Sequence, residues 1–564
     1  MKNKIIFLGL IFIIAFATRF YKLGDIPNGL YQDETAIGYN AYSILKTGKD
    51  EHNIRLPIYF KSFGDWKLPV YIYATVPFVK LFGLTPLAVR MPSALFGFFT
   101  VILFYFFALR VFGEHKEKEK IALLATLFLA INPWHIHYSR ATFEVSIALF
   151  FTLAGTYAWH LSFVKGRRGA FFLGVLCFII SFYSYNLTRL LTPLMAGAVL
   201  YVFKSKLHKT AKNEYVISII IGFLILVPFI LNVFTKGGYT SASGTLIFSS
   251  ATVQAQLLEF RSYMIQLPPY LSKILFNMPA LTLGHWINNV GMYVNVPFFF
   301  ISGSSHGNHG IGNVGQFYLF EFPFILTGLY LFIRNKSRFF QLLLWWAAIT
   351  VGICALTRDV PHATRSFFLI PSLVSASSLG CISIISYIKT HGKKQYAMFF
   401  LGTTLICVLF ALAYYFASYY IRFPIAYARS WNAADNSVAE FIKIHEKEYN
   451  SIIIDKNAGF PYTSLLFYTQ YIPQDFQSAQ WSKDDSEGFS YPIRFGKYEY
   501  KTIDWESDMK RPHALIVTKS ENLPKTITPI TTFAYPTRPV VIAVKQELFQ
   551  YPVTENAYSL VATN

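Results

Sequence analysis

The chain is 564 residues long, 54% hydrophobic and 18% aromatic, with only 14% Asp, Glu, Lys and Arg. Soluble proteins carry about 25% charged residues. Here the apolar residues fall in long blocks separated by short basic ones, which excludes an ordinary soluble enzyme and points to a polytopic membrane protein. The formal charge of +20 would suggest nucleic acid in a soluble chain. These basic residues lie between apolar segments, where they report membrane orientation, and no nucleic-acid partner is expected.

In chain order, the first apolar run is Ile5 to Thr18, behind a Met-Lys-Asn-Lys start. Its length also fits a signal-peptide core, and Ala15-Phe16-Ala17 resembles a cleavage site. The many later spans favour a first transmembrane helix instead, with Arg19 snorkelling and the helix continuing towards Leu23. Further spans are predicted near 86–112, 121–133, 145–164, 170–185, 188–203, 215–234, 317–333, 338–356, 366–388 and 396–421. The stretches 68–84 and 278–301 are apolar but broken by Pro and Gly, and read as interfacial or re-entrant. Eleven spans are therefore expected, thirteen if both cross. Every second loop is basic, from Lys2 and Lys4 through Arg110–Lys120, Lys165–Arg168, Lys204–Lys212 and Arg334–Arg338 to Lys389–Lys394. The positive-inside rule then places the N-terminus in the cytoplasm, and loops of about 20–85 and 235–316 outside.

The predicted division is a transmembrane domain over 1–421 and a small extracytoplasmic α/β domain over 422–564. In this tail Asp435-Asn436 caps a helix over Val438–Lys447, and Ser451–Ile454, Ala514–Val517 and Val540–Val544 read as strands. Cys177, Cys354, Cys381 and Cys407 all lie in apolar runs, leaving none for a disulfide or metal cluster in an aqueous domain. No internal repeat of the transporter kind is visible. Gly237-Gly238 and Ser241–Gly244 have no phosphate-loop context and read as linker.

The chemistry-bearing residues concentrate in the outside loops. Asp33-Glu34 follows the first span, in the stretch Leu30–Tyr39. The next outside loop, Asn132–Glu144, holds His135, His137, Arg140 and Glu144; Arg140 and Glu144 could also pair on one helix face. Arg189 lies in a turn between spans, and Arg358, His362 and Arg365 in Thr357–Arg365. Arginine is depleted on this side, so these need partners, either the nearby acids or an anionic lipid headgroup held bidentately. His306 and His309, in a Gly- and Ser-rich run, read as a flexible loop able to order over lipid.

Asp33-Glu34, Gly64–Tyr71 (GDWKLPVY), Ala88–Ala94 (AVRMPSA) and Asn132-Pro133-Trp134 with Ser139-Arg140 resemble the membrane glycosyltransferases of GT-C type. More closely they resemble glycosyltransferase family 39, which includes protein O-mannosyltransferases and the lipid A aminoarabinose transferase. The likeness covers about residues 1–200, and Pro361–Pro371 more loosely. It implies transfer of one sugar, with inversion, from a polyprenyl-phosphate donor to an extracytoplasmic protein, glycan or lipid acceptor, by a multi-pass enzyme of the cell membrane. By position, Asp33 matches the catalytic acid and Glu34 its partner. Lys67 matches the lysine that contacts the donor phosphate, and Glu144 an acid of the second outside loop. One departure is Ala36, where the aminoarabinose transferases carry arginine, which argues against the same donor and acceptor pair.

The resulting expectation is Asp33 as base, with Lys67, Arg140, Arg189 and Arg365 on the phosphate and Glu144 orienting. His135, His137, His362, Asp65, Trp66 and Tyr39 are candidate substrate contacts. The sequence neither requires nor excludes a divalent metal. The competing reading is a transporter or flippase of lipid-linked saccharide, which would place ionisable residues in mid-span.

Overall fold

The computed structural model describes residues 2–63, 65–206, 212–233, 246–247, 251–264, 268–335, 337–392, 394–484, 490–536, 540–544, 547–551 and 555–563. The 237–244 linker reading lies outside these residues. Each of the eleven expected spans is helical. The first is α1 (Lys2–Phe20), followed by α2 (Gln32–Thr47), the hairpin β1 (Phe60–Ser62) and β2 (Asp65–Lys67), α3 (Pro69–Phe82) and α4 (Pro86–Val111). Next come α5 (Lys118–Ile131), α6 (Pro133–Tyr138), α7 (Glu144–Lys165), α8 (Ala170–Phe182), α9 (Thr188–Phe203) and α10 (Lys212–Val233). Beyond them lie Phe322–Arg334, Arg338–Cys354, Ile370–His391 and Lys394–Ala417.

Length separates these helices. Among the described residues six are long and apolar enough to cross a membrane, and seven if Leu319–Arg334 and Arg338–Cys354, bent by 119°, form one broken span. The others are shorter. At 1.5 Å per residue, the 14 residues of α5 cover roughly 21 Å, less than a bilayer core of about 30 Å. The chain then continues through Asn132 into α6, whose six residues are all buried in the protein. The bundle, rather than lipid, therefore satisfies the backbone there.

Local chemistry sets the helix ends. Thr85 caps α4 by accepting from the Ala88 N–H, with Pro86 in the first turn. Gly166 ends α7 in the left-handed region at φ 63°, where an L side chain would be strained. Phe322–Arg334 and Ile370–His391 pack backbone to backbone, because a Cβ on Gly328 would strike the Ala376 carbonyl and one on Gly380 the Phe324 carbonyl. Such small-residue contacts are how helices associate without a hydrophobic driving force between them.

The tail contains a seven-stranded mixed sheet. Its strands are β3 (Ser451–Asp455), β4 (Gln480–Trp481), β5 (Pro492–Phe495), β6 (Tyr498–Lys501), β7 (Ala514–Lys519), β8 (Thr531–Tyr535) and, after the separate hairpin β9 (Val540–Val544) and β10 (Glu547–Tyr551), β11 (Glu555–Ala562). The order is β4-β5-β6-β3-β7-β11-β8, with β3 parallel to both neighbours. The near-continuous apolar run Ile452–Ile454 is what a strand buried on both faces requires. Of the three strands read from sequence, β3 and β7 are neighbours in this sheet, while β9 pairs with β10 alone. The helix expected after Asp435-Asn436 runs over Asp435–His445, but Asp435 is its first residue rather than its cap: the carboxyl is buried and accepts from Tyr558 Oη at 2.8 Å instead of from the helix N–H groups.

The tail rests on α2. A Cβ on Gly38 would lie 2.5 Å from the Phe467 ring, so only glycine allows that approach. Thr35 and Thr463 share a hydrogen bond of 2.8 Å. Beside them Glu51 accepts from Ser62 Oγ at 2.5 Å and Tyr462 Oη at 3.3 Å, and His52 stacks on Trp481 at 4.2 Å between centroids. Burial pushes the Glu51 carboxyl up to about 8 and, for the same reason, Asp435 up to about 7 and Asp50 up to about 6. A carboxyl whose folded pKa is raised stabilises below its unfolded value and loses that contribution as pH rises through the folded one. Docking of the tail is therefore expected to weaken from about pH 5 to pH 8. Glu51→Gln should flatten the part of that slope above pH 7, measured as hydrogen exchange across 462–476.

Candidate active site

The site is organised around the first turn of α2. Tyr31 is extended at φ −71° and ψ 164°, and the helix starts behind it with Asp33 and Glu34 in its first turn, where the helix dipole favours negative charge. The two acids then diverge. Glu34 is fully buried. Its carboxylate accepts from Arg90 Nε and Nη2, both at 3.0 Å, and from the Thr142 N–H at 3.0 Å and Oγ at 2.9 Å. Asp33 keeps 41% of its side chain exposed and meets the buried Lys67 ammonium at 2.7 Å. The hairpin register Phe60↔Lys67 and Ser62↔Asp65 carries Lys67 to that position, and its ammonium lies 5.0 Å from the Phe63 ring.

Arg90 is the residue that the sequence reading passed over, although it lies in the quoted AVRMPSA segment. It is fully buried and also donates to the carbonyls of Leu23, Pro27 and Gly29 at 3.2, 2.9 and 2.5 Å. The available signal was an arginine one turn into an apolar helix, which demands an acid.

Glu144 opens α7 and, with Asp33 and Glu34, acts on Tyr31. Burial first, then these three carboxylates, keep the Tyr31 phenol protonated far above its ordinary range. Tyr31 donates to the Thr142 carbonyl at 3.0 Å and stacks on Phe143 at 5.7 Å. Phe143 reaches His309 at 5.8 Å, and His309 lies 4.7 Å from His362, ring to ring. His362 caps the turn Ala363–Ser366 through the Thr364 N–H. Arg365 in that turn bonds to Thr357 Oγ at 2.9 Å and to the Asp359 carbonyl at 3.2 Å. A continuous wall of rings therefore runs from the acid pair to Arg365.

The other expected residues are placed as follows. Arg140 is fully buried; it donates to the carbonyls of Thr18, Lys22 and Ile26 and lies over Tyr419 and Tyr420 at 5.3 and 5.4 Å. His135 accepts from Arg19 at 2.8 Å and stacks on Phe367; burial and that guanidinium keep it neutral. His137 bonds to the Asn308 carbonyl at 2.9 Å. Arg189 is half-buried between the rings of Tyr59 and Phe229 at 5.2 and 5.0 Å, next to the β1–β2 hairpin. Arg358 is exposed and bonds to the Leu246 carbonyl. Tyr39 faces the tail, donating to the Tyr471 carbonyl at 3.2 Å. Trp66 is half-buried on β2, and the side chain of Asp65 lies outside the described residues. Among the described residues no group of three or more His, Cys, Asp or Glu is arranged to hold a metal ion.

The different surroundings of the acid pair predict different failures. Glu34→Gln leaves the Arg90 charge buried and uncompensated, a change that typically costs about 3–5 kcal/mol. It should lower the thermal unfolding temperature of the purified protein strongly. Asp33→Asn acts on a carboxylate that is itself partly exposed, and its amide oxygen can still accept from the buried Lys67 ammonium, so it should lower that temperature much less than Glu34→Gln does.

Residues 9–236 match the family model described as dolichyl-phosphate-mannose-protein mannosyltransferase. An uncharacterized protein of Aquifex aeolicus is 28% identical over 177 residues, which cover 31% of this chain and 33% of that protein; the match spans about a third of the relative's length. Among solved structures, ArnT from Cupriavidus metallidurans bound to undecaprenyl phosphate aligns at 14% identity over 99% of this chain and 97% of that one, with a TM-score of 0.51. The oligosaccharyltransferase AglB from Archaeoglobus fulgidus aligns at 13% identity over 83% of this chain and 63% of that one, with a TM-score of 0.49. The protein is multi-pass and shares the GT-C fold over nearly its whole length, and its residues 9–236 are similar to the mannosyltransferase family described by the matching model.

Proposed function

We propose that the protein transfers a single sugar, with inversion, from a polyprenyl-phosphate donor to a hydroxyl of an extracytoplasmic protein, glycan or lipid, with Asp33 as base. The observation that carries this is the division within the acid pair. Glu34 is occupied by Arg90 and Thr142, while Asp33 stays partly exposed beside Lys67. The relative solved with undecaprenyl phosphate supports the donor class.

In this scheme Asp33 accepts the proton of the acceptor hydroxyl. The freed oxygen attacks the anomeric carbon from the side opposite the phosphate, and the C–O bond to phosphate breaks with its electron pair going to the phosphate. Charge grows on that leaving group. Lys67 meets it as a point charge, with Arg365 and Arg189 as guanidinium partners. Glu144 orients the acceptor from the start of α7. Arg140 and His135 serve as framework, since carbonyls already hold both terminal nitrogens of Arg140 and Arg19 meets His135 Nδ1. The N-terminus is assigned to the cytoplasm and the tail to the outside by the basic loops.

The test is turnover of a radiolabelled polyprenyl-phosphate sugar by purified protein. Asp33→Asn should reduce transfer by at least roughly 10²–10⁴-fold, the usual worth of a general base. Lys67→Ala should lower kcat by about 10²–10³-fold, as loss of one charge-stabilising donor does. Near-normal turnover of Asp33→Asn would remove it from the mechanism. Movement of intact lipid-linked sugar without its cleavage would favour transport.

A further inference from the structure

Behind the ring wall, away from Asp33 and Lys67, α6 packs under the segment 302–318. The sequence reads the Gly- and Ser-rich run Ser302–Gly310 as a flexible loop, but the segment is tied down at several points. Phe317 N–H donates to the Phe299 carbonyl at 2.7 Å, Asn132 Nδ2 to the Gln316 carbonyl at 3.1 Å, and Arg422 to the Ile311 carbonyl at 3.1 Å. Tyr427 packs on Gly307 and Gly312 so closely that neither glycine could carry a Cβ.

Between α6 and this segment lies a cavity of about 10 Å³ lined by Trp134, His137, His309 and Gln316, among others. Each of these four contributes one buried polar atom with no hydrogen-bond partner in the protein: Trp134 Nε1, His137 Nδ1, His309 Nδ1 and Gln316 Nε2. Trp134, His137 and Gln316 are 2, 3 and 4% exposed. Leaving one such group unsatisfied costs roughly 1–3 kcal/mol. Four around one void therefore call for a shared ligand.

The chemistry of the lining identifies that ligand. His137 Nε2 faces a carbonyl oxygen, which only accepts, so the proton is on Nε2 and Nδ1 offers a lone pair. Burial is the main cause that lowers His137 to about 4 and His309 to about 3, so both rings are neutral at physiological pH. Trp134 Nε1 can only donate, and the Gln316 amide nitrogen likewise. A cation is excluded by these inward N–H groups and by the nearby Arg140 and Arg90 charges. An anion is opposed by the His137 lone pair. A void of this size holds one water and nothing larger. We infer that a single water is bound here, accepting from Trp134 and Gln316, donating to His137 and bonding to His309 Nδ1, and that it locks the 302–318 segment onto α6.

The lock can be read as hydrogen exchange over residues 303–316 in the purified full-length protein. Gln316→Met keeps the shape of the site while removing one donor, and Trp134→Phe removes the other donor together with part of the indole's volume. A shared water predicts that each single variant speeds exchange by roughly tenfold. The double variant should stay within about threefold of the larger single effect, because the second donor has lost its ligand. Singles with unchanged exchange, or a double whose effects multiply to about a hundredfold, would overturn the inference. If Trp134→Phe does not fold, the same cycle on Gln316→Met and His309→Phe carries the test with the same two outcomes.

Discussion

The bidentate pair between Arg90 and Glu34 holds the site in place. Moving two charges out of water costs several kcal/mol per ion, and their attraction offsets this only when the remaining donors and acceptors are also satisfied. Here they are. Arg90 gives its other N–H groups to three carbonyls of the 23–29 segment, and Glu34 takes two hydrogen bonds from Thr142. One ion pair thus joins the segment after α1, the first turn of α2, the start of α4 and the turn before α7. Asp33 is one residue from this knot, so its backbone is held while its side chain remains available to Lys67.

The same device recurs close by. Arg19 and Arg140 are fully buried and turn their terminal nitrogens on backbone carbonyls in and after the ends of α1 and α5: Ala15, Leu129 and Ala130 for Arg19, and Thr18, Lys22 and Ile26 for Arg140. The last carbonyls of a helix have no partner within it. In an interior that excludes water, a planar fork with five donors is a compact way to satisfy them. Aromatic faces complete the shells, Tyr419 and Tyr420 on Arg140 and Trp431 on Arg90. The high aromatic content noted in the sequence therefore lines buried cations as well as filling the bundle.

The tail bears on the same helix from the other side. Gly38 admits Phe467, and Thr35 bonds to Thr463, so α2 has the acid pair at its start and the tail along its length. Burial raises the Glu51 and Asp50 carboxyls beside this contact, which is why its strength is expected to depend on pH. On the opposite flank the 302–318 segment is fastened to α6, which holds His309 against Phe143 and His362. The ring wall is thus supported from behind as well as framed from the front.

Much of this was legible in one dimension. Blocks of apolar residues must pair their own backbone groups inside a bilayer, so every predicted span is a helix. Asp33-Glu34, Glu144 and Lys67 were recognisable as a set because of the motifs around them. Strand β11 was not legible, since its place between β7 and β8 is decided by partners distant in sequence. Nor were the arginines. By residue type Arg140, Arg189 and Arg365 looked equivalent and Arg90 looked unremarkable, yet whether a guanidinium is available or consumed depends on carbonyls brought to it by other helices. The sequence by itself determined the helical bundle, its apolar belts and the neighbourhood of the acid pair, because these follow from backbone hydrogen bonding and local order along the chain. Only the tertiary structure decided that Glu34 is locked and Asp33 exposed, because two adjacent carboxylates differ solely in which distant donors reach them.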